Sequence, residues 1–323
     1  MNSRSYGPAV ARALLSSELK KLRLASGETQ EAVATACEWS VAKFSRIENS
    51  SSPVRKADLE ALLRHYGVDE SRFAEFNQRA REARTPGWWE DFDFGSDKGF
   101  EAYVGYEDGS SSIRMSQPNV IPGLLQTPQY TLQTLEGWGV PADAITRGIK
   151  LREERQRRVA QRGPEQIYIL DESVIQRPPG SSMPEQLRHL LRVGEKPSVT
   201  IHIIPFSHGM HFGMQGPFVL LGFEGELEDV LYLESARRGD LLIAENRDQL
   251  GGPNVPKFEN PTDEVAKYQD GFARLLHVAL PPKESLELIE QIARNLEQNS
   301  LNRIGSARAA GLHSKRGKVS VAK

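Results

Sequence analysis

Between residues 11 and 85, apolar side chains recur at intervals of three and four, the spacing of one buried helix face. In ARALLSSELKKLRLA (11–25), Leu15, Leu19 and Leu22 form such a stripe, with Lys20, Lys21 and Arg23 outside it or at its rim. Gly27 supplies the stop. Thr29 is placed to cap a second helix reaching about Cys37, with Glu31 in its first turn and Val33 and Cys37 four apart on its inner side. A third helix runs from about Ser40, its cap, to Asn49, and Phe44 with Ile47 is its buried pair. The SSSP stretch at 50–53 reads as a loop, and two further helices are expected at 56–66 and 70–84, separated by Gly67. This all-α unit of five helices spans 11–85, preceded by a flexible N-terminus over 1–10.

The pattern then changes. TPGWWEDFDFGSDKG, rich in aromatics, Gly and Pro, reads as a join over 86–100. Helical periods at about 98–106, 128–138 and 142–161 precede strand-like runs at QIYIL (166–170), SVTIHIIPF (198–206), PFVLLGF (217–223), DVLYLE (229–234) and DLLIAE (240–245). A helix at 183–194 separates the first two strands, giving one βαβ-like unit followed by short antiparallel neighbours. Helices at 261–278 and 283–299 close an α+β domain with a small mixed sheet over 101–300. The last segment, 301–323, has few apolar residues and no acidic one, and is expected to be a basic disordered tail.

Composition narrows the function classes. At 323 residues the chain is long enough for two domains. The lone cysteine, Cys37, excludes a disulfide framework and fits a reducing compartment. No apolar run approaches the roughly 18–20 residues that span a bilayer, and the N-terminus lacks the apolar core of a signal peptide. A cytoplasmic protein is expected. The net charge of -2 divides unevenly, into about +3 over 1–85, -11 over 86–299 and +6 over 300–323. Any polyanion should meet the front of the chain.

The stretch TQEAVATACEWSVAKFSRIENS (29–50) holds two short helices around a tight break, the helix-turn-helix arrangement. On its second helix, Ala42, Ser45, Arg46 and Asn49 follow i, i+3, i+4, i+7 and share one face, opposite Phe44 and Ile47. A face of small and polar residues around one arginine suits the major groove, where arginine bonds guanine O6 and N7 bidentately. Gln30, at the start of the preceding helix, sits where a side chain can hold a phosphate. The bland alternative is a solvated helix face. Residues 14–84 resemble the Cro/Xre-type repressors, through the TQE opening, Ala34 at the helix crossing, Ser40 as cap and SRIE at 45–48. The resemblance implies a Cro/repressor-like fold, DNA contacts from Gln30, Val41, Ala42, Lys43 and Arg46, and an internal ion pair between Arg23 and Glu48; with the cap Ser40 and the face residues Ser45 and Asn49, these make the expected DNA-binding set. Glu38 stands where that family usually has glycine, so the turn is expected to be altered. The expected ligand is double-stranded DNA bearing a palindromic operator, read by a homodimer.

The second domain also resembles a known group. GWWEDF (87–92), SSIRMSQPNVIPGLLQTPQY (111–130), LDESVIQRPPG (170–180) and IHIIPFSHGMHFGMQGPFVLLGF (201–223) are similar to Xre-type regulators of high-GC Gram-positive bacteria whose C-terminal domain has no assigned function. The resemblance implies an antitoxin-like regulator whose second domain dimerises and binds a small partner protein encoded nearby. The alternative is a small-molecule sensor with a pocket lined from 201–223 beside His208 and Arg177. His202, His208 and His211 have metal-like spacing, but no cysteine or carboxylate completes a ligand set, so no metal or other cofactor is expected. Asp171 and Glu172 lack a nucleophile or phosphate loop beside them and read as a turn or helix cap, so no enzyme is expected. Trp88 and Trp89 read as packing at the join, and PGLLQT (122–127) as core.

Overall fold

Over the N-terminal quarter, α1 (Pro8–Ser26), α2 (Gln30–Ala36), α3 (Val41–Glu48), α4 (Lys56–His65) and α5 (Phe73–Arg84) enclose one apolar core. The structure, a computed structural model, describes residues 6–50, 52–95, 97–177, 180–225, 227–234, 239–243 and 261–316. Leu15 and Leu19 of α1 meet Val33 and Ala34 of α2, Phe44 and Ile47 of α3, Leu59 and Leu62 of α4, and Phe76 and Ala80 of α5 in that core. Each helix enters with the apolar stripe its sequence period places inward.

Beyond a 3₁₀ turn at Trp88–Asp91 come α6 (Lys98–Gly109), β1 (Ser112–Gln117), α7 (Pro128–Gly137), α8 (Ala142–Arg162) and β2 (Glu165–Asp171). They are followed by α9 (Glu172–Gln176), α10 (Met183–Gly194), β3 (Val199–Ile204), β4 (Phe218–Gly222), β5 (Val230–Glu234), β6 (Gly239–Ile243), α11 (Pro261–Val278) and α12 (Pro282–Arg316). The six strands form one mixed sheet in the order β3-β2-β1-β4-β5-β6. β1, β2 and β3 are parallel, joined by helical crossovers, while β4, β5 and β6 add antiparallel. The α+β expectation therefore holds, with one strand more than the apolar pattern shows. That strand is β1, and it is central. Its sequence, SIRMSQ, buries Ile113 and Met115 on one face, but two apolar residues are too few to mark a strand by themselves. The two faces lie in separate cores. Ile113, Met115, Tyr168 and Val219 face α6, whereas Ile169, Phe218, Leu220 and Leu231 face Val265 and Phe272 of α11.

Two boundaries differ from expectation. Residues 8–10, read as flexible, are the first turn of α1, with Pro8 at its start and Val10 fully buried. The contact partner explains it. Gly105 and Gly109 lie four apart on α6, and a Cβ at Gly109 would sit 2.3 Å from the Val10 Cγ2 methyl. One at Gly105 would meet Trp89 Cζ2 at 2.9 Å and Ala9 Cβ at 3.1 Å. Helix α1 thus packs against α6 at a distance only glycine allows, and Val10, Ala13 and Leu14 join the larger core. At the other end, α12 continues as helical backbone to Arg316, where a disordered tail was expected from 301. The tail's composition is basic, but residues 301–316 hold no proline to break the helix. Residues 317–323 of that tail lie outside the described residues.

A buried ion pair fastens α8 to α6. Arg155 donates from Nε to Glu107 Oε1 and from Nη2 to Glu107 Oε2, both at 2.7 Å, with side chains 6% and 2% exposed. Tyr103 donates its hydroxyl to the same carboxylate and stacks on Tyr232 of β5, ring centroids 4.4 Å apart. Burial opposes the Arg155 charge, but the Glu107 carboxylate outweighs it, so the guanidinium is held more firmly protonated than usual. Replacing one member strands the other charge in an apolar core. Glu107→Gln should therefore cost about 3–5 kcal/mol, read as a lowered urea midpoint, and Arg155→Met added to it should recover part of the loss. A single variant unfolding with the parent would show that the pair carries no weight.

Candidate nucleic-acid interface

The turn between α2 and α3 decides where α3 points. Cys37 caps α2, and Glu38 follows with φ of +56°, in the left-handed region. Glu38 N donates to Thr35 O at 3.0 Å and Trp39 N to Ala34 O at 2.8 Å, the paired bonds of a Schellman motif. The alteration expected from the missing glycine does not occur. The turn keeps the left-handed backbone, with Glu38 bearing the strain between its own bond to Thr35 O and the Trp39 bond to buried Ala34. Ser40 then caps α3, its Oγ accepting from Lys43 N at 3.2 Å, as Thr29 Oγ1 accepts from Ala32 N at 3.1 Å on α2.

From that start α3 divides cleanly. Phe44 and Ile47 are buried, and Ser16 of α1 donates to Ile47 O at 2.9 Å, tying the end of α3 to α1. Val41, 45% exposed, Ala42 and Arg46 face outward. Ser45 and Asn49 are half-buried at the edge of the same face, with Asn49 Nδ2 donating to Ser45 Oγ at 3.2 Å. Arg46 Nε reaches only Ala42 O of its own helix, at 3.2 Å. An exposed valine beside a guanidinium gives one surface able to meet a thymine methyl and a guanine edge.

Three further expected contact residues are engaged within the domain. Lys43 Nζ donates to Asp58 Oδ1 of α4 at 2.7 Å and lies 3.8 Å from the Trp39 ring centroid, so a base contact from Lys43 requires release of Asp58. Gln30 donates its amide to Glu48 Oε2, and Ser40 is engaged as the cap. The Gln30 bond has no signal in the sequence, because its partner lies in another helix. The same is true of Lys43 with Asp58.

Glu48 is the hub beneath this surface. Its carboxylate, 1% exposed, accepts from Arg23 Nε at 2.6 Å and Nη2 at 3.1 Å as well as from Gln30. Arg23 Nη1 also donates to Glu28 O at 2.9 Å. Burial and the nearby Glu48 charge push the Tyr66 phenol above its usual range, so that neighbour stays neutral. One carboxylate therefore joins the C-terminal part of α1, the start of α2 and the last turn of α3.

Four polar candidates in the second domain, Asp171, Glu172, His202 and His211, make hydrogen bonds within the fold. Asp171 caps α9, its Oδ1 accepting from Ser173 N at 2.8 Å, and its Oδ2 meets His211 Nε2 at 3.1 Å. Burial opposes its charge, but the bonds from Ser173 and His211 hold its carboxyl below the usual range. Glu172 accepts from Phe206 N at 2.8 Å, and His202 Nδ1 meets Leu280 O at 2.9 Å. Among the described residues no three His, Cys, Asp or Glu side chains converge on one point. Trp89 is buried at the join, and Ile121, Leu124 and Leu125 around PGLLQT are core.

Residues 14–76 match a helix-turn-helix domain family, and residues 100–249 match a domain of unknown function (DUF5753). The chain thus carries an N-terminal helix-turn-helix domain, and the second match takes in all six strands. No curated protein and no solved structure matches the chain.

The strained turn makes a direct test. Left-handed backbone costs a residue with a Cβ about 1–2 kcal/mol, and glycine returns about 0.5–1 of that as unfolded-state entropy. Glu38→Gly should therefore raise stability by up to about 1 kcal/mol, while Glu38→Val should lower it, in thermal melts of the full chain. Glu48→Ala, which leaves Arg23 unpaired, should cost about 3–5 kcal/mol. A Glu48→Ala variant melting with the parent would show that the hub is dispensable.

Proposed function

We propose that this chain is a sequence-specific, antitoxin-like transcription regulator that acts in the cytoplasm, on the nucleoid. In this reading it binds a palindromic operator as a homodimer, and its second domain mediates dimerisation and binds a small partner protein. The observation that carries the DNA reading is the outward face of α3, where Val41, Ala42 and Arg46 stand exposed on a helix locked from behind by Phe44, Ile47 and Glu48. A single such module buries less surface than affinities of about 10⁻⁸–10⁻¹¹ M generally rest on, which favours two copies on two half-sites.

The partner-binding reading is supported by the turn between β3 and β4. Phe206, Met210 and Met214 are 58%, 82% and 53% exposed there, beside exposed Ser207 and His208. Three large apolar side chains outward on one short connection form the kind of surface that meets another protein. The sensor alternative placed a pocket at this same stretch, but His208 and Arg177 are both exposed rather than enclosed.

Arg46→Ala should weaken binding to a selected operator by about 1–3 kcal/mol and relax preference at one base pair. The measurement is a fluorescence-anisotropy titration on operators obtained by in vitro selection with the full chain. Unchanged affinity and unchanged preference would remove Arg46 from the reading surface. Light scattering of the complex should give two chains per duplex, and a single chain at full affinity would refute the dimer.

A further inference from the structure

Two guanidiniums lie side by side on the inner face of α8, and they differ in what they hold. Arg155 is fully paired with Glu107, whereas Arg152, one turn earlier, has only a 3.4 Å bond from Nη1 to Gly148 O of its own helix. Its Nε is sealed from solvent and has no partner among the described residues, although the residue as a whole is only part-buried. Burial, with the Arg155 charge beside it, lowers the Arg152 pKa to about 10, so the group is strained as a cation yet still protonated at neutral pH. A buried guanidinium with no hydrogen-bonded counter-ion is costly, and such groups are ordinarily paired.

A second orphan lies on the same side of the sheet. Gln117 ends β1 and is 5% exposed; its Nε2 donates to Glu234 Oε2 at 3.1 Å, which leaves its Oε1 buried and unpartnered. Glu234, the exposed last residue of β5, links the two orphans, because its carboxylate also acts on the Arg152 charge. Gly123 covers the arginine: a Cβ there would stand 3.5 Å from Arg152 Nε, so the turn after β1 lies directly over the group. The cluster sits at the carboxyl end of a parallel strand, the usual location of small-ligand sites in such sheets.

We infer that Arg152, Gln117 and Glu234 form a binding site for a small carboxylic acid that also carries a hydrogen-bond donor, an amino acid or a hydroxy acid. The carboxylate pairs with Arg152, supplying the acceptor that Nε lacks. The ligand's N–H or O–H donates to Gln117 Oε1 and faces Glu234. This site is separate from the α3 surface, so it stands or falls independently of the DNA reading.

The test uses the full chain labelled with ¹⁵N-arginine, with the Arg152 Nε–H resonance identified by its loss in Arg152→Lys. Glycolate and L-alanine are the donor-bearing probes, acetate lacks the donor, and sodium chloride controls for ionic strength. The expected result is a saturable shift of that resonance with glycolate and L-alanine, tighter than with acetate. Both probes should also raise the melting temperature of the parent. Gln117→Leu should reduce their binding to the level of acetate. Because it removes an unpaired charge, Arg152→Met should melt no lower than the parent while losing the response to both probes. A parent resonance that follows only ionic strength, with no probe-dependent rise in melting temperature, overturns the proposal. So does a response to acetate equal to that of glycolate and L-alanine.

Discussion

Val10 of α1 approaches α6 so closely that the position opposite it, Gly109, has no room for a side chain. The same helix that makes this contact carries Leu15 and Leu19, about one and a half and two and a half turns further on, into the core of the helix-turn-helix unit. Helix α1 therefore belongs to two cores, with Val10, Ala13 and Leu14 in one and Leu15 and Leu19 in the other. A helix is stiff over such a length, and packed interiors resist deformation. Arg12 adds a bond from Nη2 to Ala83 O of α5 at 3.2 Å, and Arg79 of α5 pairs with Glu18 of α1. Neither core is complete without α1, so the join at 86–100 is not the only connection between the two parts of the chain.

Two buried carboxylates organise what the apolar contacts bring together. Glu48 gathers α1, α2 and α3, and Glu107 gathers α6, α8 and, through Tyr103 stacked on Tyr232, the sheet. Each is nearly inaccessible and each is answered by a bidentate arginine. Such pairs add little net stability over an apolar substitute, but they penalise any arrangement that leaves one partner alone. Their consequence is orientation. The exposed face of α3 is set from below by Glu48, and the inner face of α8 is set by Glu107.

What was legible in the sequence follows from the range of the interactions concerned. The helices of residues 8–84 are announced locally, by the Thr29 and Ser40 caps, by Gly27, and by apolar residues three and four apart. Helix α10, with apolar residues three and four apart, and five strands read equally well, because each carries several large apolar residues in one short run. Strand β1 does not, since it offers only Ile113 and Met115 as apolar residues and its polar face is satisfied from afar: Arg114 pairs with Asp229, which Gln269 of α11 also contacts at 2.7 Å. No window of sequence around β1 contains those partners. The start of α1 is hidden for the same reason, because Val10 is buried by a glycine about one hundred residues away. On the candidate interface, the caps and the Arg23–Glu48 register are readable from pattern and resemblance, whereas the engagement of Gln30 and Lys43 depends on helices brought together only by folding.

The shared helix has a consequence for how DNA would be read. If the two recognition units hung on flexible joins, a dimer formed through the second domains would leave the separation of its α3 helices loose, and half-site spacing would be weakly selected. Here α3 is tied to α1 by the Ser16 bond to Ile47 O and by Glu48, and α1 is packed into α6 at Gly109. The path from reading surface to sheet runs entirely through packed helices. A twofold axis set by the second domains would then position both α3 helices directly, at one helical turn of DNA, about 34–36 Å, for an inverted repeat read on one face. In the proposed dimer, spacing would be specified by the body of the protein and base identity by α3, so changes at Val10 or Gly109 should alter tolerance for spacing without altering preference for sequence.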